Sequence, residues 1–386
     1  MKRILNKDIT FIYMDTAEKS AYQPIYDEAE KRGYKVKFTT NKLEKCEIGF
    51  YCQHVNFPQF SKFSVIMLHD IIQGYSNWPD LWYREPWNKY DVGIIPSDQW
   101  EVNWNKCSQY YYARPKRGMY KIGWPKADVI NKLKENTYRE DFYKTYGLDI
   151  NKKTVLYAPA WENDGKQDDF VKAMLNCDVN ILIKQADWNK ELYPEQVANV
   201  NEMYKLHKNI KAVTILPPKT NIFEAIAVSD ILVSEESSTM CEAAMMGIPA
   251  VSVYNWLIPD VTPSRFPKCD YDFVVMTAKE DLEVCIRNMI SNYEKFHNQS
   301  KEFAKHNFLN IGNTANMIMD IIDDFVNGKE VRYISIKPNE NVPLNLNMLL
   351  KHNILKLKIE ISQNYGVRYK FIGMLYKALK KLKNKI

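Results

Sequence analysis

The sequence predicts an α/β protein with two Rossmann-like domains that face each other across a cleft, followed by a C-terminal basic amphipathic helix. Short apolar segments alternate with segments of helical periodicity along most of the chain, and this alternation is typical of parallel βα units. A chain of 386 residues exceeds one typical core and suits two domains of roughly 150–200 residues each. We therefore expect domains over residues 1–150 and 151–330, and a basic extension over residues 331–386.

Segments with the composition of buried strands recur through both halves, with helical patterns between them. In the first half, strands are expected at residues 10–13, 34–38, 48–51, 64–68 and 92–95. In the second half, a strand that runs into a proline-ended loop is expected at residues 153–159, and further strands at residues 180–184, 212–216, 231–233 and 250–253. The second domain closes with helices expected at residues 279–292, 293–307 and 314–326. One of these helices is expected to cross back to the first half.

The most informative segment lies between the predicted strands 231–233 and 250–253. Its helix begins with three hydroxyl residues, Ser237, Ser238 and Thr239. Hydroxyls and free backbone N–H groups at a helix N-terminus, at the carboxyl end of a parallel strand, favour phosphate binding. One turn further along the same helix, Glu242 could reach a ribose hydroxyl. The alternative is an ordinary strand–helix–strand crossover whose Ser and Thr residues only cap the helix.

Four further side chains are candidates for the same cleft, namely Trp161, Lys184, Lys126 and Pro218. Lys184 follows a strand and can neutralise phosphate, and Trp161 could stack on a base or line the entrance. Lys126 follows a glycine turn near the domain junction, and Pro218 belongs to a loop that could form a wall for a nucleotide base. Lysine and tryptophan are also common at strand ends without any role in binding.

His69 is the candidate general base because it directly follows the predicted strand 64–68. A histidine at the carboxyl end of a buried strand faces the cleft of an α/β domain, where a base with a near-neutral pKa is useful. Asp70 beside it could orient the imidazole ring or cap the next helix. A structural hydrogen bond is the alternative role for His69.

Several chemistries are disfavoured by motifs that the sequence lacks. The seven cysteines are scattered without Cys-x-x-Cys spacing, so we expect free thiols in a reducing cytosol and no zinc site. No Walker loop, Gly-x-Gly-x-x-Gly, His-Glu-x-x-His or Gly-x-Ser-x-Gly motif occurs, which argues against kinases, Rossmann dehydrogenases, zincins and serine hydrolases. We expect neither a cofactor nor a metal.

The segment 366–386 differs from the rest of the chain because it carries seven lysines and arginines and no acidic residue. Its apolar residues recur at helical spacing, so we expect a basic amphipathic helix that binds an anionic membrane surface through residues 367–386. A solvated terminal helix or a docking tail is the alternative. Nucleic acid is not an expected partner because no reader motif accompanies the charge. Without a signal peptide or a span of ~20 apolar residues, we expect a cytoplasmic, peripheral protein.

The order of these motifs resembles that of the CDP-glycerol glycerophosphotransferase family, the enzymes of teichoic acid and related capsule synthesis. The resemblance covers roughly residues 8–325 and rests on His69 and on the segments 122–128, 157–161 and 234–238. It implies a two-domain GT-B-like fold, with the nucleotide site mainly in the second half and the acceptor site mainly in the first.

The resemblance also implies a reaction. A glycerol phosphate or related polyol phosphate would pass from CDP-glycerol or a similar CDP-polyol to a hydroxyl of a lipid- or polymer-linked acceptor, with release of CMP. His69 matches the general base of the family, and Ser237 and Ser238 match its phosphate contacts.

The sequence departs from the family pattern at two places. The family motif His-Gly-Thr-Pro is here His69-Asp70-Ile71-Ile72, and the histidine expected after Lys184 is replaced by Gln185. Two alternatives stay open: a GT-B glycosyltransferase that uses a nucleotide sugar, and a non-catalytic membrane-associated scaffold.

Overall fold

A computed structural model describes residues 5–52, 56–68, 71, 87–108, 113–134, 136–259, 262–269 and 271–341, with short runs and single positions between 345 and 374. In its first half, six parallel strands form one sheet in the order β2-β1-β3-β4-β5-β6. These strands are β1 (Asp8–Ile12), β2 (Lys35–Thr39), β3 (Cys46–Tyr51), β4 (Ser61–Ile66), β5 (Val92–Ile95) and β6 (Met119–Lys121).

A second sheet of six parallel strands follows, in the order β12-β11-β10-β7-β8-β9. Its strands are β7 (Lys153–Tyr157), β8 (Val179–Ile183), β9 (Val213–Ile215), β10 (Ile231–Ser234), β11 (Ala250–Val253) and β12 (Val274–Thr277). The predicted α/β fold with two parallel sheets is therefore confirmed. The domain boundary near residue 150 stays a prediction.

The α-helices of the described residues lie between and beside these strands. They are α1 (Thr16–Lys31), α2 (Asp98–Asn105), α3 (Ile130–Leu133), α4 (Asn136–Tyr146), α5 (Lys166–Leu175), α6 (Pro194–His207), α7 (Ile222–Ala227), α8 (Thr239–Met245), α9 (Leu282–Ser291), α10 (Tyr293–Asn307) and α11 (Thr314–Val326). At the start of α1, the side chain of Asp15 accepts a hydrogen bond from the backbone N–H of Glu18 at 2.9 Å, which satisfies one of the unpaired N–H groups of the first turn.

Two strands were not predicted from the sequence, β6 and β12. Both are edge strands of their sheets, and β12 is only partly buried. Strand β6 has only three residues, so its apolar pattern is short. Strand β12 does carry a short apolar run, Val274-Val275-Met276, which the sequence analysis did not assign to a strand.

Helix α11 crosses back to the first half, as expected for one of the closing helices. Arg32 at the end of α1 places Nη1 2.9 Å from Asp320 Oδ1 and 2.8 Å from Asp323 Oδ2. The N-terminus of α11 is capped by Asp128, whose carboxylate accepts from the N–H groups of Thr314 and Ala315 at 2.9 and 2.6 Å. These contacts fasten α11 to the segment that follows the first sheet.

The chain after α11 returns to the edge of the first sheet. Ile336 donates its N–H to the carbonyl of Met119 in β6 at 2.8 Å and forms an antiparallel bridge there. The predicted amphipathic helix over 367–386 lies outside the described residues, apart from Met374. Within the described part of the chain, no helix combines the length and hydropathy that a bilayer span requires.

Candidate active site

The candidate site is a cleft with a volume of about 1340 Å³ at the carboxyl ends of strands from both sheets. On one side it is lined by residues that follow β1 and by α1. On the other side it is lined by the loops after β7, β8, β9 and β10. Ligands of open α/β sheets bind in crevices at this edge, and the volume suits a nucleotide-sized molecule.

Eight of the predicted site residues line this one cleft: Lys126, Trp161, Lys184, Pro218, Ser237, Ser238, Thr239 and Glu242. The remaining two, His69 and Asp70, lie outside the described residues. The strand before them, β4, ends at Ile66, which is in register with Tyr51 of β3 and, through it, with Ile12 of β1. The carboxyl end of β4 therefore lies at the same sheet edge as the end of β1, whose following residues line the cleft.

The three hydroxyl residues at the start of α8 all line the cleft but make different hydrogen bonds. Ser237, which precedes the N-cap residue, accepts through Oγ from the backbone N–H of Thr239 at 3.3 Å. Thr239 Oγ1 donates to the carbonyl of Ala158 at 3.5 Å. Ser238 occupies the N-cap position without making a side-chain cap hydrogen bond, and its hydroxyl lines the cleft.

Glu242 is the least exposed acid among the residues that line the cleft, with 2 % of its surface exposed. Its Oε1 accepts from Lys126 Nζ at 2.8 Å and from Trp124 Nε1 at 3.2 Å. Its Oε2 is buried and has no hydrogen-bond partner among the described residues. A buried carboxylate oxygen without a partner is costly, and a ligand hydroxyl in the cleft could satisfy it. Sequence reasoning did not identify Trp124, although it lies in the same motif as Lys126.

Lys184 is held at the base of the cleft and is 7 % exposed. Its Nζ donates to the carbonyls of Gln185 and Pro218 at 2.8 and 2.7 Å. Burial, and secondly the positive charge of Lys126, lower the pKa of Lys184 to about 8, against the opposing effect of Asp187 and Glu242. Because this pKa lies above neutral pH, the ammonium group of this cleft-lining residue keeps most of its charge at pH 7.

Glu235 positions the loop that carries Trp161, a role that the sequence did not reveal. Its Oε2 accepts from the N–H of Ala160 at 3.1 Å and its Oε1 from the N–H of Trp161 at 2.8 Å. Lys166 Nζ lies 3.4 Å from the same Oε1, and both charged side chains are fully buried. The turn after β10 therefore holds the loop after β7 in place, and both loops line the same side of the cleft.

Gln185 stands where the family pattern has a histidine, and its side chain is held by hydrogen bonds to neighbouring residues. Gln185 Nε2 donates to Glu162 Oε2 at 2.5 Å and to Gln167 Oε1 at 2.8 Å, so this side chain belongs to a buried polar network. Burial raises the pKa of Glu162 to about 7, although hydrogen bonds from Gln185 and Tyr157 act in the opposite direction. Gln185 thus stabilises the loop after β7 beneath the cleft.

The two parallel sheets and the shared cleft at their carboxyl ends define a two-domain α/β protein of GT-B-like fold. Residues 79–256 match the model of the family described as CDP-Glycerol:Poly(glycerophosphate) glycerophosphotransferase. This match agrees with the family resemblance that the motifs predicted.

One known relative is similar to this chain at low sequence identity. The teichoic acid poly(glycerol phosphate) polymerase of Bacillus spizizenii is 20% identical over 248 residues, which is 60% of this chain and 59% of that protein. The chain thus spans less than two thirds of that relative.

Solved structures share the fold. The wall teichoic acid polymerase TagF superposes with a TM-score of 0.58 at 14% identity, over 83% of this chain and 89% of that one. The UDP-GlcNAc 2-epimerase from Neisseria meningitidis gives 0.58 at 13% identity, over 82% of this chain and 100% of that one. The fold is therefore common to proteins with different nucleotide ligands.

Proposed function

We propose that the protein transfers a glycerol phosphate, or a related polyol phosphate, from a CDP-linked donor to an acceptor hydroxyl during teichoic acid or capsule synthesis. The observation that carries the proposal is the convergence on one cleft of a charged lysine, a hydroxyl-bearing helix start and a carboxylate oxygen without a partner. The family match over residues 79–256 supports this reaction, and the B. spizizenii relative is named for poly(glycerol phosphate) polymerisation.

In this proposal each group has a distinct role. Lys184 and the hydroxyl of Ser238 neutralise and orient the diphosphate, and Glu242 Oε2 accepts a hydrogen bond from a ribose hydroxyl. His69 takes the proton of the acceptor hydroxyl. The resulting oxygen bonds to the phosphorus that bears the polyol, the bond from this phosphorus to the bridging oxygen breaks, and CMP leaves. Such transfer depends on alignment and charge neutralisation more than on covalent help from the protein.

Calorimetric titration of the full chain tests the donor. CDP-glycerol, CDP-ribitol, UDP-glucose and UDP-GlcNAc should be compared at equal concentrations. We expect saturable binding of a CDP-polyol and none of the UDP-sugars. Saturable binding of a UDP-sugar alone would contradict the proposal and favour a GT-B glycosyltransferase or an epimerase-like enzyme, which share the fold.

Substitution of the proposed base separates an enzyme from a scaffold. His69→Ala should lower the rate of polyol-phosphate transfer by about 10²–10⁴-fold, the usual contribution of a general base, without loss of CDP-glycerol binding. His306→Ala, on an exposed side chain of α10, is the matched control and should not change the rate. Unchanged transfer by a folded His69→Ala variant would support the scaffold interpretation.

We also propose that the protein acts at the cytoplasmic face of the cell membrane, where a lipid-linked acceptor would lie. The support comes from the sequence of residues 367–386, which combines lysines and arginines with apolar residues at helical spacing. Such segments bind anionic lipid surfaces by charge and by burial of the apolar face.

A further inference from the structure

Three aromatic side chains form a continuous platform on one wall of the cleft, and the proposed reaction does not use it. The platform consists of Trp161, Trp188 and Tyr193. The ring centroids of Trp161 and Trp188 are 4.8 Å apart, those of Trp188 and Tyr193 are 4.9 Å apart, and those of Trp161 and Tyr193 are 6.2 Å apart. All three residues line the cleft, and 42 % of Tyr193 is exposed.

Helix α1 lies across the cleft from the platform and supplies a stripe of polar residues. The loop after β8 reaches α1 directly, because Thr16 Oγ1 donates to the carbonyl of Asp187 at 3.5 Å. The cleft-lining residues Thr16, Ser20, Gln23 and Asp27 recur at helical spacing and therefore lie on one face of α1. Gln23 Nε2 donates to Asp27 Oδ1 at 2.7 Å, so the amide oxygen of Gln23 and the second carboxylate oxygen of Asp27 are the groups that a ligand in the cleft can use.

The shape of the platform excludes one ligand class. A quaternary ammonium group binds inside a cage of aromatic rings that leaves room for the cation. Here each ring contacts the next, and the rings leave no gap between them. The platform can therefore offer only an outer face, to which a flat or ring-shaped ligand can stack.

The charges of the facing wall argue against a polyanion at this position. The wall formed by α1 and its cap carries the lysines Lys19 and Lys31 together with the carboxylates Asp15, Asp27 and Glu28. A chain of polyol phosphates carries one negative charge per unit, and such ligands are usually bound by an excess of lysine and arginine. The mixed wall favours an uncharged ligand with many hydroxyl groups.

We infer that the platform and the polar stripe of α1 bind a neutral sugar ring of the acceptor. The apolar face of the ring stacks on Trp188, and its hydroxyls form hydrogen bonds with Gln23 and Asp27. This inference rests on the proposed function and extends it, because it names a saccharide, not a chain of polyol phosphates, as the part of the acceptor nearest the reacting hydroxyl.

The test measures binding of the full chain to a glycan array that carries neutral glycans and poly(glycerol phosphate). We expect binding to at least one neutral glycan, measured further by quenching of tryptophan fluorescence. Trp188→Ala and Gln23→Ala should each weaken this binding about tenfold, as expected from the loss of one stacking or hydrogen-bonding contact, and Trp188→Phe should retain most of it. The matched control is Tyr204→Ala, which removes an exposed ring of α6 outside the cleft.

The outcomes separate this inference from the proposed function. Glycan binding that is lost in Trp188→Ala, with CDP-glycerol affinity unchanged, supports the sugar subsite. Binding to no neutral glycan, or to poly(glycerol phosphate) alone, would overturn it. Loss of CDP-glycerol affinity in Trp188→Ala would also overturn it, because the platform would then hold the nucleobase. Failure of the proposed donor would appear separately, as absence of CDP-glycerol binding to the unaltered chain.

Discussion

At the scale of single residues, the two oxygens of Glu242 have different environments. Oε1 is held by Lys126 and Trp124, which lie 116 and 118 residues away in the sequence, whereas the buried Oε2 has no partner among the described residues. The first oxygen fixes the side chain of this cleft-lining residue, so the second is held in a defined position. A preorganised acceptor of this kind loses little conformational entropy when a ligand binds.

Glu242→Gln should weaken binding of CDP by about tenfold or more, because a hydrogen bond to a charged group is replaced by a weaker one. Calorimetry with CDP, 2′-deoxy-CDP and 3′-deoxy-CDP checks the role of the ribose. The unaltered protein should lose affinity for one deoxy analogue, and the variant should not distinguish the three ligands. Glu202→Gln, an exposed position of α6, is the control. Equal discrimination by both proteins would contradict a ribose contact.

Lys184 predicts a pH dependence of CDP-glycerol affinity. Its pKa is lowered to about 8, so the ammonium charge is present below pH 8 and is lost as the pH rises through that value. Affinity should fall about tenfold between pH 7 and pH 9, in proportion to the protonated fraction. Lys184→Met should remove this dependence, and Lys184→Arg should keep high affinity at both values. A pH profile that Lys184→Met leaves unchanged would assign the titration to another group.

At the scale of secondary-structure elements, the segment from Gly123 to Asp128 joins three parts of the molecule. It brings Trp124 and Lys126 to α8 and Asp128 to the start of α11. Its glycine has a positive φ of +135°, and an added Cβ would lie 2.5 Å from the carbonyl oxygen of Leu309. Close packing of the backbone at Gly123 therefore also holds this segment in place.

Gly123→Ala should displace this segment and therefore both destabilise the protein and weaken CDP-glycerol binding. Thermal unfolding and calorimetry on the same sample measure the two effects. Gly147→Ala is the matched control, because Gly147 also has a positive φ but an added Cβ would meet nothing within 4 Å. The control should show only the backbone cost of about 1 kcal/mol and normal binding. Normal binding by Gly123→Ala would show that the segment does not position Glu242.

The junction of α1 and α11 depends on Arg32, which contacts carboxylates of both helices. Arg32→Ala leaves Asp320 and Asp323 without this cation in a partly buried site, so we expect a loss of about 2–4 kcal/mol in the free energy of unfolding. Urea unfolding measures it. Lys31→Ala removes a neighbouring, mostly exposed cation and should change stability by less than about 1 kcal/mol. Equal effects of the two substitutions would show that the cluster around Arg32 is not important for stability.

At the scale of the whole molecule, the cleft and the basic segment should act independently. Deletion of residues 367–386 should abolish sedimentation with vesicles that contain anionic phosphatidylglycerol and should leave CDP-glycerol affinity unchanged. Vesicles of phosphatidylcholine alone are the control, and binding to anionic vesicles should weaken with added salt because surface charges are screened. Unaltered sedimentation after the deletion would refute the proposed membrane contact.

The sequence alone determined the alternation of strands and helices, and with it the loops in which site residues would lie. In parallel βα units, chain connectivity places the carboxyl ends of the strands at one edge. Eight predicted side chains from distant parts of the chain could therefore be assigned to one cleft.

Only the tertiary structure showed which of these loop side chains hold the loops together. Gln185 belongs to a buried network, Ser237 accepts a hydrogen bond from the first turn of its own helix, and Glu235 fixes the loop of Trp161. Local patterns cannot show this, because the partners of a buried polar group are set by contacts between segments that are far apart in sequence.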